Sequence, residues 1–315
     1  HHLARTAMEL NVEIPKTWLF DPGDGPTGEI GEMLFPVIIK PPDESGGRGV
    51  TKCPTDQDLL NAYDKLRQRY PNETLLIQEA ATGDEYCYCG LFDNGDLVAS
   101  MVYQNIQKYP EGAGPGVVRE TKEAERFDAL AEGLMGPLGW SGVAEIDFLW
   151  TGEDSDTPKM IEVNPRFWMG LDHSIKSDID FPWLLYKQFA GLEIDKVPDA
   201  RIGHKTSLPG LTAMGRINRF FSETIHFDEL QKSLPDIKQN FGERKYSEAV
   251  KLFKTAMQDS MSFDQAVQNY KKLSRDAKEA ENISYAEDDP FIGLGVLFIL
   301  GSLIRHGEIP PELRH

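Results

Sequence analysis

Residues 143–166 read VAEIDFLWTGEDSDTPKMIEVNPR. Val143 to Trp150 and Lys159 to Asn164 are runs of strand-forming residues, and the polar, turn-rich Gly152 to Pro158 between them predicts an antiparallel hairpin. Side chains alternate faces along a strand, so Glu145 and Asp147 share a face, with Ala144, Ile146 and Phe148 on the other. By the same count Glu162 and Asn164 share a face, with Ile161 and Val163 opposite. If the apolar faces pack on one core, the acidic faces converge. Carboxylates crowded on one sheet face repel one another without a counter-charge. A hard divalent cation supplies it, and Mg²⁺ favours a few carboxylates plus phosphate oxygens. A solvated sheet face is the plainer account of one acidic pair. Two pairs ending in Asn164-Pro165-Arg166 favour the cation.

The rest of the sequence bounds what such a site can serve. The chain has 315 residues, enough for two or three compact units. Its 33 basic and 51 acidic side chains leave a formal charge of −18, the opposite of the basic footprint that nucleic-acid binding needs. Such a charge serves solubility and does not bar an anionic substrate from a locally positive site. Cys53, Cys87 and Cys89 make no disulfide framework and lack the partners of a zinc site, which fits a reducing, cytoplasmic setting. No signal peptide is evident, and His1-His2 reads either as a tag remnant or as the start of a natural helix. The apolar run from Phe291 to Ile304 falls short of the roughly 20 residues of a spanning helix and predicts a packing or interfacial helix.

Upstream, His1 to Leu10 has helical spacing, and Leu19 to Met33 is loop-like in composition. Phe35 to Lys40 (FPVIIK) predicts a buried strand with Lys40 at its mouth. A lysine there is costly unless it snorkels outward or meets an anion. The glycine-rich DESGGRGV at 43–50 follows, able to lay backbone N–H groups against phosphates. It matches neither the P-loop pattern nor GxGxxG. Thr55 to Asp58 is a capping box that opens a helix to about Tyr70. Glu73 to Glu79 predicts a strand. Tyr86 to Phe92 and Leu97 to Tyr103 flank Asn94-Gly95, a strong hairpin signal. Gln104 to Thr121 reads as a long irregular segment, Ala124 to Leu134 as a helix, and Asp180-Phe181-Pro182 as a helix start that Gly191 closes. Beyond Lys196, Tyr246 to Met257 and Phe263 to Ala280 are amphipathic.

A strand ending in Lys-Pro, then DESGGRGV, QEAATGDE, GVAEIDF and IEVNPR, in this order, resembles the ATP-grasp fold, the family of carbamoyl-phosphate synthetase, biotin carboxylase and D-alanine–D-alanine ligase. The resemblance covers about residues 1 to 190. It is nearest to carboxylate–amine ligase-like members, which share a loop like Gln107-Lys108-Tyr109-Pro110. It implies an α+β fold, two lobes sandwiching ATP. Residues 1–34 would be a linker helix and strand leading into the core, 35–80 would form the small lobe, 81–195 the large lobe with the metal site, and 196–315 a helical extension. The Rossmann-like domain that usually precedes this core is not visible.

The resemblance also implies roles. Lys40 would contact the phosphates. Gly46, Gly47, Arg48 and Gly49 would form the loop over them. Gln78 stands where the family often has an acid that accepts from the adenine amino group; its carbonyl can still accept. Glu79 and Ala81 would offer backbone groups to adenine, and Glu85 would bind the ribose. Asp147, Glu162 and Asn164 would hold two Mg²⁺ ions, with Mn²⁺ as a possible substitute. Arg166, with Lys108, would serve the transferring phosphoryl group. Arg119, Trp168 and His173 are further candidates for lining the substrate pocket, each read here as a loop residue. The implied activity is ATP-dependent activation of a small carboxylate for attack by an amine or thiol. Two alternatives stand: a kinase- or carboxylase-type enzyme acting on a small acid, and a nucleotide-binding scaffold. The implied partners are small molecules, with a homodimer possible and neither nucleic acid nor a membrane span involved.

Overall fold

The structure is a computed structural model that describes residues 2–42, 49–109, 114–194, 196–224, 235, 238–240, 245–248, 250–252 and 263–283. These fall into two compact units. The first holds the chain up to Ile106 and Arg119–His204; the second holds the described parts of Gln107–Val118 and Lys205–Pro290.

The first unit opens with helix α1 (His2–Glu9) and strand β1 (Thr17–Phe20), followed by β2 (Val37–Lys40), β3 (Thr51–Cys53), α2 (Asp56–Arg69) and β4 (Leu75–Glu79). The four strands make an antiparallel sheet in the order β1-β4-β2-β3. Val37, Ile39, Leu75 and Ile77 alternate onto one face and are sealed by Leu59 and Tyr63 of α2. Thr55 caps α2 as its spacing predicts, accepting from the Asp58 N–H. Strand β1 lies within residues 1–34, where a helix and a strand are expected, but its end at Leu19-Phe20 runs into the stretch that reads as loop. Its TWLF falls in a stretch rich in glycine, proline and aspartate, and pairing to β4 overrides that composition.

A second sheet follows: β5 (Asp84–Asp93), β6 (Asp96–Lys108), β7 (Gly116–Lys122), β8 (Gly142–Trp150) and β9 (Lys159–Asn164). Helix α3 (Glu125–Met135) lies between β7 and β8, and α4 (Leu171–Lys176) and α5 (Phe181–Phe189) follow β9. Strands β6, β5, β8 and β9 run antiparallel in that order. Strand β5 is buried on both sides. Tyr86, Tyr88 and Phe92 pack with Ala144, Ile146 and Phe148 against α1 and α3. Cys87, Cys89 and Leu91 pack with Met101 and Val143 against Trp168, Phe181 and Leu184. The acidic sheet face is therefore the continuation of an apolar one, not a solvated surface.

Two expectations are corrected here. The stretch from Gln104 to Thr121 is not irregular: β6 continues to Lys108 and β7 starts at Gly116. Alternating residues such as Ile106 and Val117-Val118 suffice for strands once neighbours pair with them. Lys108 and Arg119 are therefore strand residues and His173 is helical; Trp168 alone of these candidates lies outside helix and strand. In the second unit, β10 (Lys205–Ser207) pairs in parallel with β11 (Glu281–Asn282), beside α6 (Pro209–Thr224) and α7 (Phe263–Glu279). The described part of the expected helical extension thus includes strands. Lys205 there pairs with Asp276 at 3.2 Å, and Thr212 donates to the Val117 carbonyl at 3.1 Å. The predicted helix at 246–257 is only partly described, and Phe291 to Ile304 lies outside the described residues.

The β5–β6 turn opens the pairing that builds the site. Asn94 and Gly95 both have positive φ, 49° and 92°, the backbone of a two-residue hairpin turn. A Cβ at Gly95 would come within 2.7 Å of the Gly136 carbonyl. We expect Gly95→Ala to lower unfolding free energy by at least about 1–2 kcal/mol, read from urea denaturation, because left-handed backbone and a rigid neighbour both oppose the methyl. Asn94→Gly should stay near wild type.

Candidate functional site

The register of the second sheet assembles the site in two cross-strand rows. Tyr103, Cys87, Asp147 and Glu162 are successive partners across β6, β5, β8 and β9. Met101, Cys89, Glu145 and Asn164 form the next row. Directly paired residues share a face, so both rows point the same way. One departure from strict alternation sharpens this. Asp147 pairs with Glu162 but Phe148 pairs with Met160, which leaves Ile161 as the extra residue of a bulge. Met160, not Ile161, therefore fills the core beside Phe148. The Ile161 carbonyl instead meets the Lys40 ammonium at 3.5 Å. Lys40 thus reaches from the mouth of β2 to the acidic strand pair.

Side-chain bonds fix the cluster. Tyr103 Oη donates to Glu145 Oε1 at 2.5 Å. Asn105 Nδ2 donates to Glu85 Oε1 at 2.6 Å and approaches Cys87 Sγ at 3.4 Å. Asn164 Nδ2 lies 3.5 Å from Asp147 Oδ2, while its Oδ1 accepts from Arg166 at 3.1 Å. Ligand atoms of Cys87, Glu145 and Asp147 lie within 4.8 Å of one another. Arg119, 2% exposed, sets its guanidinium 5.8 Å from the Tyr103 ring centroid, and its Nε and Nη1 have no hydrogen-bond partner.

The electrostatics follow from burial among like charges. Burial raises Glu145 to about 7 against the Tyr103 hydrogen bond and the charges of Arg119 and Arg166. Asp147 lies well above its ordinary range, through burial first and the Glu145 charge second. The Cys87 thiol is pushed up by burial and then by Asp147 and Glu145. Burial lowers the Lys40 ammonium, and Glu162 partly restores it. These carboxylates thus hold protons more tightly than free ones, as expected where positive charge is short. A hard cation would supply it, and oxygen donors from Asp147, Glu162 and Asn164 fit Mg²⁺.

The other sequence-derived candidates divide. Glu85 joins the site face through Asn105. Gln78 lies on β4, and its Nε2 donates to Thr17 Oγ1 at 2.9 Å. The Glu79 N–H is already given to the Lys16 carbonyl, and its carboxylate accepts from the Leu34 N–H at 3.2 Å. Ala81 lies two residues beyond the end of β4. Gly49 has φ 69°, whereas Gly46, Gly47 and Arg48 lie outside the described residues. Lys108 falls in the second unit. His173 is fully buried, with Nε2 3.1 Å from Thr121 Oγ1. Cys87, Tyr103 and Asn105 were missed as site residues. Counting back from Asn94-Gly95 pairs Cys87 with Val102; a break in register between Leu91 and Phe92 shifts the ladder by one and sets Tyr103 opposite Cys87, so the hairpin signal alone does not find the pair.

Comparison with known proteins accords with this arrangement. A family model described as an ATP-grasp domain matches residues 7–169, more than half of the chain. Acetyl-CoA carboxylase 2 of Oryza sativa subsp. japonica is 20% identical over 211 residues, covering 64% of this chain and 9% of that protein. Among solved structures, biotin carboxylase from Campylobacter jejuni aligns with TM-score 0.52 and 15% identity, over 64% of this chain and 48% of that one. Phosphoribosylamine–glycine ligase from Thermotoga maritima aligns with TM-score 0.51 and 13% identity, over 65% and 56%. The chain spans about half the length of these solved proteins and about a tenth of the curated one. Among the described residues no helix is long and apolar enough to cross a membrane.

Two measurements probe the buried part of the site. A Cβ at Gly170 would fall 2.5 Å from Tyr103 Oη. Gly170→Ala should therefore displace the tyrosine from Glu145, seen as a change in tyrosine absorbance and lost stability. Burial also holds His173 down to about 3, from an ordinary 6.5. Below pH 6.5 the unfolded chain takes up a proton that the native chain refuses, so stability must fall as pH falls. The loss is about 1.4 kcal/mol per pH unit between those values. Urea midpoints from pH 7 to 4 should show a slope that His173→Gln reduces. The chain belongs to the ATP-grasp family and has its α+β fold.

Proposed function

We propose that this chain is the nucleotide- and metal-binding core of an ADP-forming ligase that activates a small carboxylate as an acyl phosphate. The observation that carries the reading is the cross-strand pairing of Asp147 with Glu162, with Asn164 on the same face and Lys40 reaching the bulge beside them. A carboxylate is a poor electrophile: it is anionic and its leaving group is oxide. Transfer of the γ-phosphoryl group of ATP to one carboxylate oxygen turns that oxygen into part of phosphate, a good leaving group. An amine or thiol then displaces it.

The residues divide the work as charge neutralisation and positioning. Asp147, Glu162 and Asn164 would hold Mg²⁺, which neutralises phosphate charge when bound. Lys40 and Arg166 supply fixed positive charge to the phosphates and to the moving group. Glu85, held by Asn105, would bind the ribose hydroxyls, and the glycines at 46, 47 and 49 with Arg48 would cover the phosphates. Lys108 is assigned to the same step on the family resemblance alone. Bicarbonate is the favoured second acid. The curated relative is named a carboxylase, and the biotin carboxylase domain of a Hydrogenobacter thermophilus carboxylase, at TM-score 0.52, is described in complex with MgADP and bicarbonate.

The test is calorimetry with ATP, with and without Mg²⁺, on this chain and on Glu162→Gln. Binding should depend on Mg²⁺ and weaken at least about tenfold in the variant. ADP release should then require an acid. Bicarbonate dependence selects the carboxylase reading, and amine dependence selects the ligase. Mg²⁺-independent binding unchanged in Glu162→Gln would overturn both.

A further inference from the structure

The small sheet carries a second built feature on the face that turns away from α2. Val37, Ile39, Leu75 and Ile77 occupy the core face. Their neighbours Ile38, Lys40, Leu76 and Gln78 therefore occupy the other. The register pairs Lys40 with Leu76 and Ile38 with Gln78. The patch thus has a cation beside a leucine at one end and an amide beside an isoleucine at the other, about 7 Å further along the strands, with the cation on β2 and the amide on β4. That order suits a ligand with an anionic tail and a flat apolar ring bearing a polar edge, which is a nucleotide.

The amide's polarity is not free. Thr17, paired with Gln78 across β1 and β4, has one hydroxyl proton. It donates that proton to the Pro15 carbonyl at 2.6 Å, and a carbonyl can only accept. Thr17 Oγ1 is left with lone pairs alone. Gln78 must therefore turn its NH₂ toward it, as the 2.9 Å Nε2 contact shows. Reversing the amide would set Oε1 against an oxygen with no proton to give. Gln78 is only 5% exposed, so water can do little to relieve that clash. The relay runs in one direction, from Gln78 to Thr17 to Pro15, and presents Oε1 as an acceptor.

We propose that Thr17 is a positioning residue that fixes Gln78 as an acceptor, so that the site selects a purine with a 6-amino group over one with a 6-oxo group. This rests on the nucleotide-binding reading above. An adenine edge donates to Oε1. A guanine edge presents an oxygen, and only a reversed amide accommodates it.

The test is the ratio of Mg²⁺-dependent affinities for ATP and GTP, by calorimetry on the full chain. Wild type should prefer ATP by about 100-fold or more, since a site built to pair a polar group rejects the analogue that cannot. Thr17→Val keeps the branched shape but frees the amide to turn, and should lower the ratio at least about tenfold by admitting GTP. Thr17→Ser retains the relay and should retain the ratio. Adding Gln78→Glu to Thr17→Val should restore it, because a carboxylate only accepts. ATP binding with an unchanged ratio in a folded Thr17→Val protein overturns the proposal and leaves the ligase reading intact. Failure of wild type to bind either nucleotide overturns both. Should Thr17→Val not fold, Gln78→Met carries the test: ATP should lose its advantage, and full retention of it overturns the proposal.

Discussion

Everything in the larger sheet is arranged around an electrostatic conflict: Glu145, Asp147 and Glu162 face one way, the first buried and the other two partly buried. At contact distances, like charges near a protein surface cost several kcal/mol, and burial raises that cost. The fold does not avoid the conflict. The β8–β9 register places Asp147 directly opposite Glu162, and the β5–β6 pairing, shifted by one between Leu91 and Phe92, adds Cys87 and Tyr103 to the same row. A chain selected for stability alone would put apolar side chains here, as it does two residues along at Val143 and Leu91. Crowded acids on a face that is otherwise core fit the cation of the function proposed above.

Much of this was legible in the sequence, for identifiable reasons. Alternation in VAEIDFLW and KMIEVN fixes which side chains share a face whatever the rest of the chain does. Asn94-Gly95 and Thr55 to Asp58 each carry a local backbone reason for the structure they adopt. What could not be read depends on partners distant in sequence. Strand β1 extends to Phe20 because β4 accepts it, and the ends of β6 and β7 lie in a segment whose glycines suggested irregularity. The bulge at Ile161 was equally hidden. Strict alternation assigned Ile161 to the core, and only the observed register shows Met160 there.

The bulge also explains how two sheets come to serve one site. A regular β8–β9 ladder would bond every inward carbonyl across the strands. The extra residue sits outside the pairing register, and its carbonyl meets Lys40, which arrives from the other sheet. A half-buried lysine needs an acceptor or an anion, and the Ile161 carbonyl is a weak, neutral one at 3.5 Å. Such a contact holds the ammonium near the acidic row without spending its charge, so a phosphate arriving there meets a donor it can readily recruit.

Arg119 and Tyr103 distinguish the two carboxylates of β8. Glu145 already accepts from Tyr103 and is stabilised by the charge of Arg119. Its demand for positive charge is therefore partly met within the protein. Asp147 has hydrogen-bond help from Cys87 and Asn164 but none from a cation: its strongest charged neighbour is Glu145 itself, and Glu85 and Glu162 add to the repulsion. Buried charges persist where something compensates them. The Tyr103 hydrogen bond and the charges of Arg119 and Arg166 serve the first acid of the Glu145-Ile-Asp147 strand, and Lys40 interacts with Glu162, whereas no cation is among the main influences on Asp147. The same strand thus carries two carboxylates in different electrostatic settings, and the difference between them is set by Tyr103 on β6, Arg119 on β7 and Arg166 beyond β9.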